Sequence, residues 1–432
     1  MNSSSTLSCD VFVCGGGVAG TMAAVAAARH GANVILAERY GFLGGNATAG
    51  AVGQFNSWQT ASGRKVVAGL ADEVVERLRR YGAAGEHQVF VMSTGHKMDR
   101  VEYSPEILKL VLDDMVSEAG VLPLLHAQLL GVECEGRQVS AVQMLTKGGV
   151  IKVFPRILID GSGDLDALRH AGCKFLQLAE GEALQPATLM FRFGPVDFDR
   201  FDSTPKEEIK SLAQRGYQTG ALARAALHAS RNPYSNDAWF NISRLSVDAT
   251  DAMALGKAEI EGRKQAWLAA EFLQAHVPGC ETGRLQAFAT QIGIRETRRV
   301  EGDHILTSQE LMEPAVFKDA IAAGAYPIDI HPAHGGDLTY KVMDDEHSYQ
   351  IPYRSLIPIN LDNVYVVGRG ISADHEALAA IRVMTISMAV GQAAGTAAAM
   401  MCKLTGPIST RALNVPKLQQ HLVEDGGLVG TS

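Results

Sequence analysis

The chain has 432 residues, of which 39 are Lys or Arg and 47 are Asp or Glu, for a formal charge of −8. That mildly acidic balance argues against a nucleic-acid partner, while 47% hydrophobic and 20% charged residues describe an ordinary globular protein of two or three domains. Six cysteines without a C-x-x-C exclude a disulfide framework and a zinc or iron–sulfur ligand set, and they favour a reducing, cytoplasmic setting.

The first ten residues carry no Lys or Arg, so no signal peptide is expected. Asp10 to Cys14 is a short apolar run of the kind that forms a buried parallel strand. Gly15, Gly17 and Gly20 follow as G-x-G-x-x-G, then a small-residue helix from Val18 to His30, with Gly31 at its C-cap. A second buried strand, Asn33 to Ala37, ends at Glu38. Strand, glycine turn, helix, strand and acid in this order form the context of a dinucleotide fingerprint. Gly15 permits the turn, Gly17 admits a pyrophosphate, Gly20 packs helix on sheet, and Glu38 can accept hydrogen bonds from an adenosine ribose.

A second glycine loop, Gly41 to Thr48, comes directly after the acid. A nicotinamide-only domain has no need of it, whereas a flavin, whose ring lies beyond the pyrophosphate, does. Gln54, Asn56 and Trp58 either line a site or fill a loop. Leu70 to Tyr81 reads as an amphipathic helix with Arg77, Arg79 and Arg80 outward, and Ser104-Pro105 starts another that Gly120 ends. Val121 to Leu125 reads as a strand, and residues 128–133, 138–146 and 149–154 as an antiparallel meander. Arg156 to Asp160 then returns as a parallel strand. Gly161-Ser162-Gly163-Asp164 after it lacks a third glycine, so one dinucleotide is expected rather than two.

From Leu165 to Gln350 the pattern loosens into an α+β texture, with strands at 188–193 and 239–245 and a helix at 255–276. Three arginines within five positions, Arg295, Arg298 and Arg299, either form surface salt bridges or grip an anion. His331, His334 and Asp337 fall in a Pro/Gly loop, a poor setting for a metal, and no metal is expected. Asn363 to Val367 is a further buried strand, followed by Gly368-Arg369-Gly370. Val383 to Cys402 is long enough and uncharged enough to span a membrane, but more than half of it is Ala, Gly, Ser, Thr or Gln. A helix buried against a sheet explains it better, so no membrane insertion is expected.

CGGGVAG, ERYGFLGGNAT, LIDGSGDLDA, GIRETRRVEGDHILT and NVYVVGRGISADHEALAAIRVM run from end to end of the chain in the order found in one family. The sequence resembles FAD-dependent oxidoreductases related to the fumarate reductase and succinate dehydrogenase flavoproteins. The resemblance implies an α/β, Rossmann-type FAD-binding domain from residues 1–164 and 351–432, with an α+β substrate or cap domain at 165–350. It implies that Gly15, Gly17, Val18, Ala19, Gly20, Glu38 and Arg39 hold the ADP part of FAD, with Gly161 beside them. Gly44, Gly45, Asn46 and Ala47 would flank the flavin, the main chain near Leu129 would meet the adenine, and Gly368, Arg369, Val383 and Met384 would approach the ribityl chain and ring. The His-Thr-x-x-Ala-x-Gly-Gly pattern of covalent attachment is absent, so non-covalent FAD is expected.

The expected chemistry is dehydrogenation of a small polar molecule by hydride transfer to flavin N5. His375 is the candidate base, with Glu376 to orient it and Arg382 or Arg295 to bind a carboxylate; the alternative for His375 is a helix-terminal histidine bound to backbone. Reduction of an activated C=C bond, an electron-relay subunit and a non-redox nucleotide enzyme of the thiazole-synthase type are the rival readings. Partners are the small-molecule substrate and a second electron acceptor (oxygen, a quinone or a carrier protein), with a homo-oligomer left open.

Overall fold

The computed structural model describes residues 5–92, 95–313, 315–330 and 339–430. The candidate metal loop with His331, His334 and Asp337 lies outside them.

The fold is α/β. Val11, Phe12 and Val13 have no exposed surface, nor does Leu36 on the neighbouring strand. Such runs are apolar throughout because helices cover both faces of a parallel sheet. Strand Ser5–Cys14 pairs in parallel with Val34–Ala37 on one side and with Gly149–Asp160 on the other. Leu122–Leu124 extends the sheet beyond Val34–Ala37.

The meander and the returning strand are not separate elements. Gly149–Asp160 is one strand of 12 residues that serves two partners along the same edge. Its first part pairs antiparallel with Gln138–Thr146, which pairs in turn with Gln128–Glu135. Its last three residues pair in parallel with Val364–Val366. Pro155 falls between these two pairings on that edge, and on the other edge it stands opposite Cys9 within the parallel ladder.

The parallel strands end together. Cys14, Ala37, Asp160 and Val366 stand at one edge of the sheet, and each feeds a loop. Open α/β sheets bind ligands beyond this carboxyl edge.

Two helices fix how the late part of the chain joins the early part. Met384–Cys402 packs along Val18–Arg29 at very close range. A Cβ on Gly391 would stand 2.2 Å from the Ala19 carbonyl oxygen, and one on Gly395 would stand 2.1 Å from that of Ala23. This contact explains the small-residue composition of the later helix. Among the described residues no single helix is long and apolar enough to cross a membrane. His375–Ile381 and Met384–Cys402 reach that length only together, and they meet at a 92° bend.

The apolar residues fall into two cores. The larger one holds the parallel sheet, the paired helices and also Val300, Leu306, Ile321 and Ile351. The smaller runs from Ala187 to Ile294, joined by Ala51, inside the span expected for the cap. It covers a four-stranded antiparallel sheet in the order 228–231, 238–241, 191–194, 284–288, together with the helix Ala252–His276.

Alanine normally stabilises a helix interior over glycine by about 1 kcal/mol. At Gly391 and Gly395 the sign should reverse, because an added methyl forces the two helices apart at a cost of about 1–3 kcal/mol. Gly391→Ala and Gly395→Ala should each lower the melting temperature; an unchanged or raised value would contradict this packing.

Candidate active site

Three glycine turns build a cavity at the carboxyl edge of the sheet. Gly15 has φ +101°, in the left-handed region, and a Cβ on Gly20 would stand 2.0 Å from the Gly15 oxygen, so turn and helix interlock. The second glycine loop docks on the first: the Gly44 N–H donates to the Gly16 oxygen at 2.7 Å, and Gly17 bridges to Gly44. Gly161 and Gly163 close the third side. At Gly17 a Cβ would find only the Gly161 oxygen, 3.9 Å away, so this backbone borders open space.

Glu38 stands at one end of the cavity. Its carboxylate accepts the Gly16 N–H at 2.7 Å and the Tyr40 N–H at 3.1 Å. Burial raises its pKa against these hydrogen bonds. Ala127, Leu129 and Met144 of the meander border the same end. Gly368, Arg369, Met384 and Ser387 border the other. Arg369 is held there by Asp164 at 2.7 Å and by Thr297 at 3.2 Å.

A second cavity continues from that far end. Asn46, Arg369, Arg382 and Met384 line both. Its other walls come from the small antiparallel sheet of residues 54–56, 88–91 and 97–102, from the cap, and from Tyr326, Asp329 and Tyr340.

Residues 10–422 match the family model described as FAD dependent oxidoreductase. The chain belongs to this family. Among solved structures it is similar to the flavin-dependent brominase Bmp2, with a TM-score of 0.50 at 12% identity over 96% of this chain and 84% of that one. It is also similar to a geranylgeranyl bacteriochlorophyll reductase-like protein of Thermoplasma acidophilum (TM-score 0.47, 14% identity, 98% and 85% covered). A flavoprotein/dehydrogenase of Cytophaga hutchinsonii gives 0.47 at 14% identity, with 96% and 84% covered. At these identities the likeness concerns the fold.

The chain is therefore an FAD-dependent oxidoreductase, and its first cavity fits the cofactor. The open backbone at Gly17 and the N-terminus of helix Val18–Arg29 suit a pyrophosphate, and the buried Glu38 carboxylate suits ribose hydroxyls. Of the residues expected at FAD, Gly15, Gly17, Val18, Ala19, Glu38, Arg39, Gly44, Gly45, Asn46, Leu129, Gly161, Gly368, Arg369 and Met384 all line this cavity. Gly20 sits behind it in the turn, Ala47 is buried beneath the second loop, and Val383 lines the second cavity instead.

The oxidoreductase's second cavity receives two of the four expected catalytic side chains, Arg295 and Arg382. His375 and Glu376 line neither cavity. His375 begins a helix whose N-cap is Asp374, and its ring turns inward, where Nδ1 lies 2.9 Å from Glu296 Oε1. Arg299 Nε lies 3.4 Å from the same oxygen. Burial opposes a charge on His375, but the hydrogen bond and charge of Glu296 prevail and raise its pKa above the ordinary 6.5. Glu376 turns outward to Lys341, at 2.6 Å. Proximity in sequence to the flavin helix therefore misleads here, because helix geometry sends both side chains away from the cavities.

Arg298, the other candidate anion-binding arginine, donates to the Asp164 backbone oxygen at 2.9 Å and pairs with Asp166. The side chains that sequence reasoning passed over are Arg224, His228, Tyr326, Asp329 and Tyr340. They lie in loops or short strands of the irregular middle region, where no periodicity marks them.

Glu38→Ala removes a charged acceptor of about 1.5–3 kcal/mol, so FAD retention should weaken roughly ten- to a hundred-fold. Equal flavin dissociation constants for variant and wild type would contradict this. His375 carries a raised pKa when folded, so the stabilisation from Glu296 is full below pH 6.5 and fades as pH rises through the folded value. The melting-temperature gap between wild type and Glu296→Gln should thus be wider at about pH 6 than at about pH 9. A gap that does not change with pH would contradict the pairing.

Proposed function

We propose that this enzyme dehydrogenates a small polar molecule held in the second cavity. The observation that carries the reading is the shared wall of Asn46, Arg369, Arg382 and Met384, which leaves the second cavity in contact with the flavin end of the first. When bound, FAD supplies a two-electron acceptor for a substrate hydride at N5.

The protein's own part is binding, orientation and proton removal. His228 faces this cavity from the edge strand His228–Arg231 of the cap sheet. His228 is reached by solvent, and partial enclosure in the cavity, then the neighbouring Arg224, lower its pKa below the ordinary 6.5, so the imidazole is uncharged at neutral pH and able to take a proton. It replaces His375 as the candidate to take the substrate's O–H, N–H or carbon-bound proton. Arg382 approaches Asp329 at 4.0 Å and donates to Gln185 Oε1 at 3.2 Å, which fixes its guanidinium at the mouth between the cavities.

The reverse reaction, reduction of an activated C=C bond, is a second reading. Its support is Arg295, whose pKa burial and the charge of Arg382 lower to about 9, which suits a proton donor. The second electron acceptor is proposed to be oxygen, a quinone or a carrier protein, because the sequence carries one dinucleotide fingerprint.

Anaerobic mixing of the FAD-loaded enzyme with small alcohols, amines and acids tests this. A reductant of the right class should bleach the visible flavin band, NADPH alone should not, and His228→Ala should slow bleaching by about 100-fold or more with FAD content unchanged. An unchanged rate would remove His228 from the reaction, and rapid bleaching by NADPH alone would overturn the choice of partner.

A further inference from the structure

On the reading that the second cavity is the substrate side, we infer that its substrate is an amphipathic carboxylate: one anionic head at the arginines and an aromatic or branched alkyl tail. The charge of the lining sets the head. Among the described residues, Arg224, Arg295 and Arg382 face the cavity with one lining carboxylate, Asp329. Arg369 is already matched by Asp164, and Arg100 by Glu102 at 3.3 Å.

These three cations are poorly solvated and crowd one another. Burial, then the charge of Arg382, disfavours the charge on Arg295; burial, then Arg244, does the same at Arg224. An entering carboxylate offsets that repulsion and accepts the free donors. Among the described residues Arg295 is held through its Nη1, which donates to the Pro186 oxygen at 2.5 Å and to Thr188 Oγ1 at 3.0 Å.

The tail follows from the rest of the lining. Phe90 and Met98 stand directly opposite on paired antiparallel strands, and Met92 and Met190 join them at the cavity. Thioether side chains adapt to a ring or a branched chain. A second carboxylate placed on this wall would lose its hydration without gaining a partner, since the nearby Arg100 is tied to Glu102, Gln88 and Gln54. The wall therefore selects against dicarboxylates.

Calorimetric titration of the FAD-loaded enzyme with phenylacetate, isovalerate, succinate and phenylethanol tests this. Phenylacetate and isovalerate should bind at least about ten-fold tighter than succinate, and phenylacetate at least about ten-fold tighter than phenylethanol. Arg295→Met should remove the preference for phenylacetate over phenylethanol, Arg295→Lys should restore part of it, and Phe90→Asn should weaken phenylacetate but not succinate. Bound flavin content reports whether each variant has folded. Succinate or phenylethanol binding as tightly as phenylacetate would overturn the inference, as would the binding of none of them. Tight phenylacetate binding that leaves the visible flavin band unmoved would contradict the substrate-side reading and keep the ligand class. A moved band without the preference would contradict the class alone.

Discussion

The site depends on one close approach. Helix Met384–Cys402 lies against Val18–Arg29 through Gly391 and Gly395, whose missing side chains let it touch the Ala19 and Ala23 carbonyls. That contact sets the position of the later helix's first turn. It carries Met384 and Ser387 to the far end of a cavity whose near end is built some 350 residues earlier around Gly15 and Glu38. A dinucleotide with a flavin at its far end is longer than one strand–turn–helix unit can hold, and this packing joins a second unit to the first.

The same edge of the sheet imposes order on the loops. Four of the parallel strands end at a glycine turn or an acid, and the turns support one another: Gly44 on Gly16, Gly161 beside Gly15, and Arg369 on Asp164. Asp160, fully buried at the end of its strand, accepts the N–H and hydroxyl of Ser162 and the N–H of Leu168. Its burial raises its pKa to about 6 against those bonds. The third turn is thus held by a carboxylate taken out of water, which is worthwhile only where loop geometry matters more than local stability.

Much of this was legible in the sequence, for physical reasons. Parallel strands buried on both faces read as apolar runs, so Val11–Cys14, Ile35–Ala37 and Val364–Val366 stood out, and with them the fingerprint glycines and Glu38. The single strand Gly149–Asp160 read as two because Pro155 looks like a break; only the paired structure shows that the parallel ladder with Ser5–Cys14 runs on through it. His375 and Glu376 line neither cavity, because sequence order gives closeness along the chain but not the direction in which a side chain leaves a helix. Arg224, His228 and Asp329 carry no local signal at all. They converge on one cavity from the cap and from the irregular chain before the last strand, and only tertiary packing brings them together.

The central claim is that the two cavities are one site with the flavin ring at their junction. A crystal structure of the FAD-loaded enzyme tests it most directly. The account predicts electron density for the ring between Asn46 and Met384, with its reactive side open to Arg295, Arg382 and His228. A ring turned away from that space, or sealed from it by protein, would contradict the account.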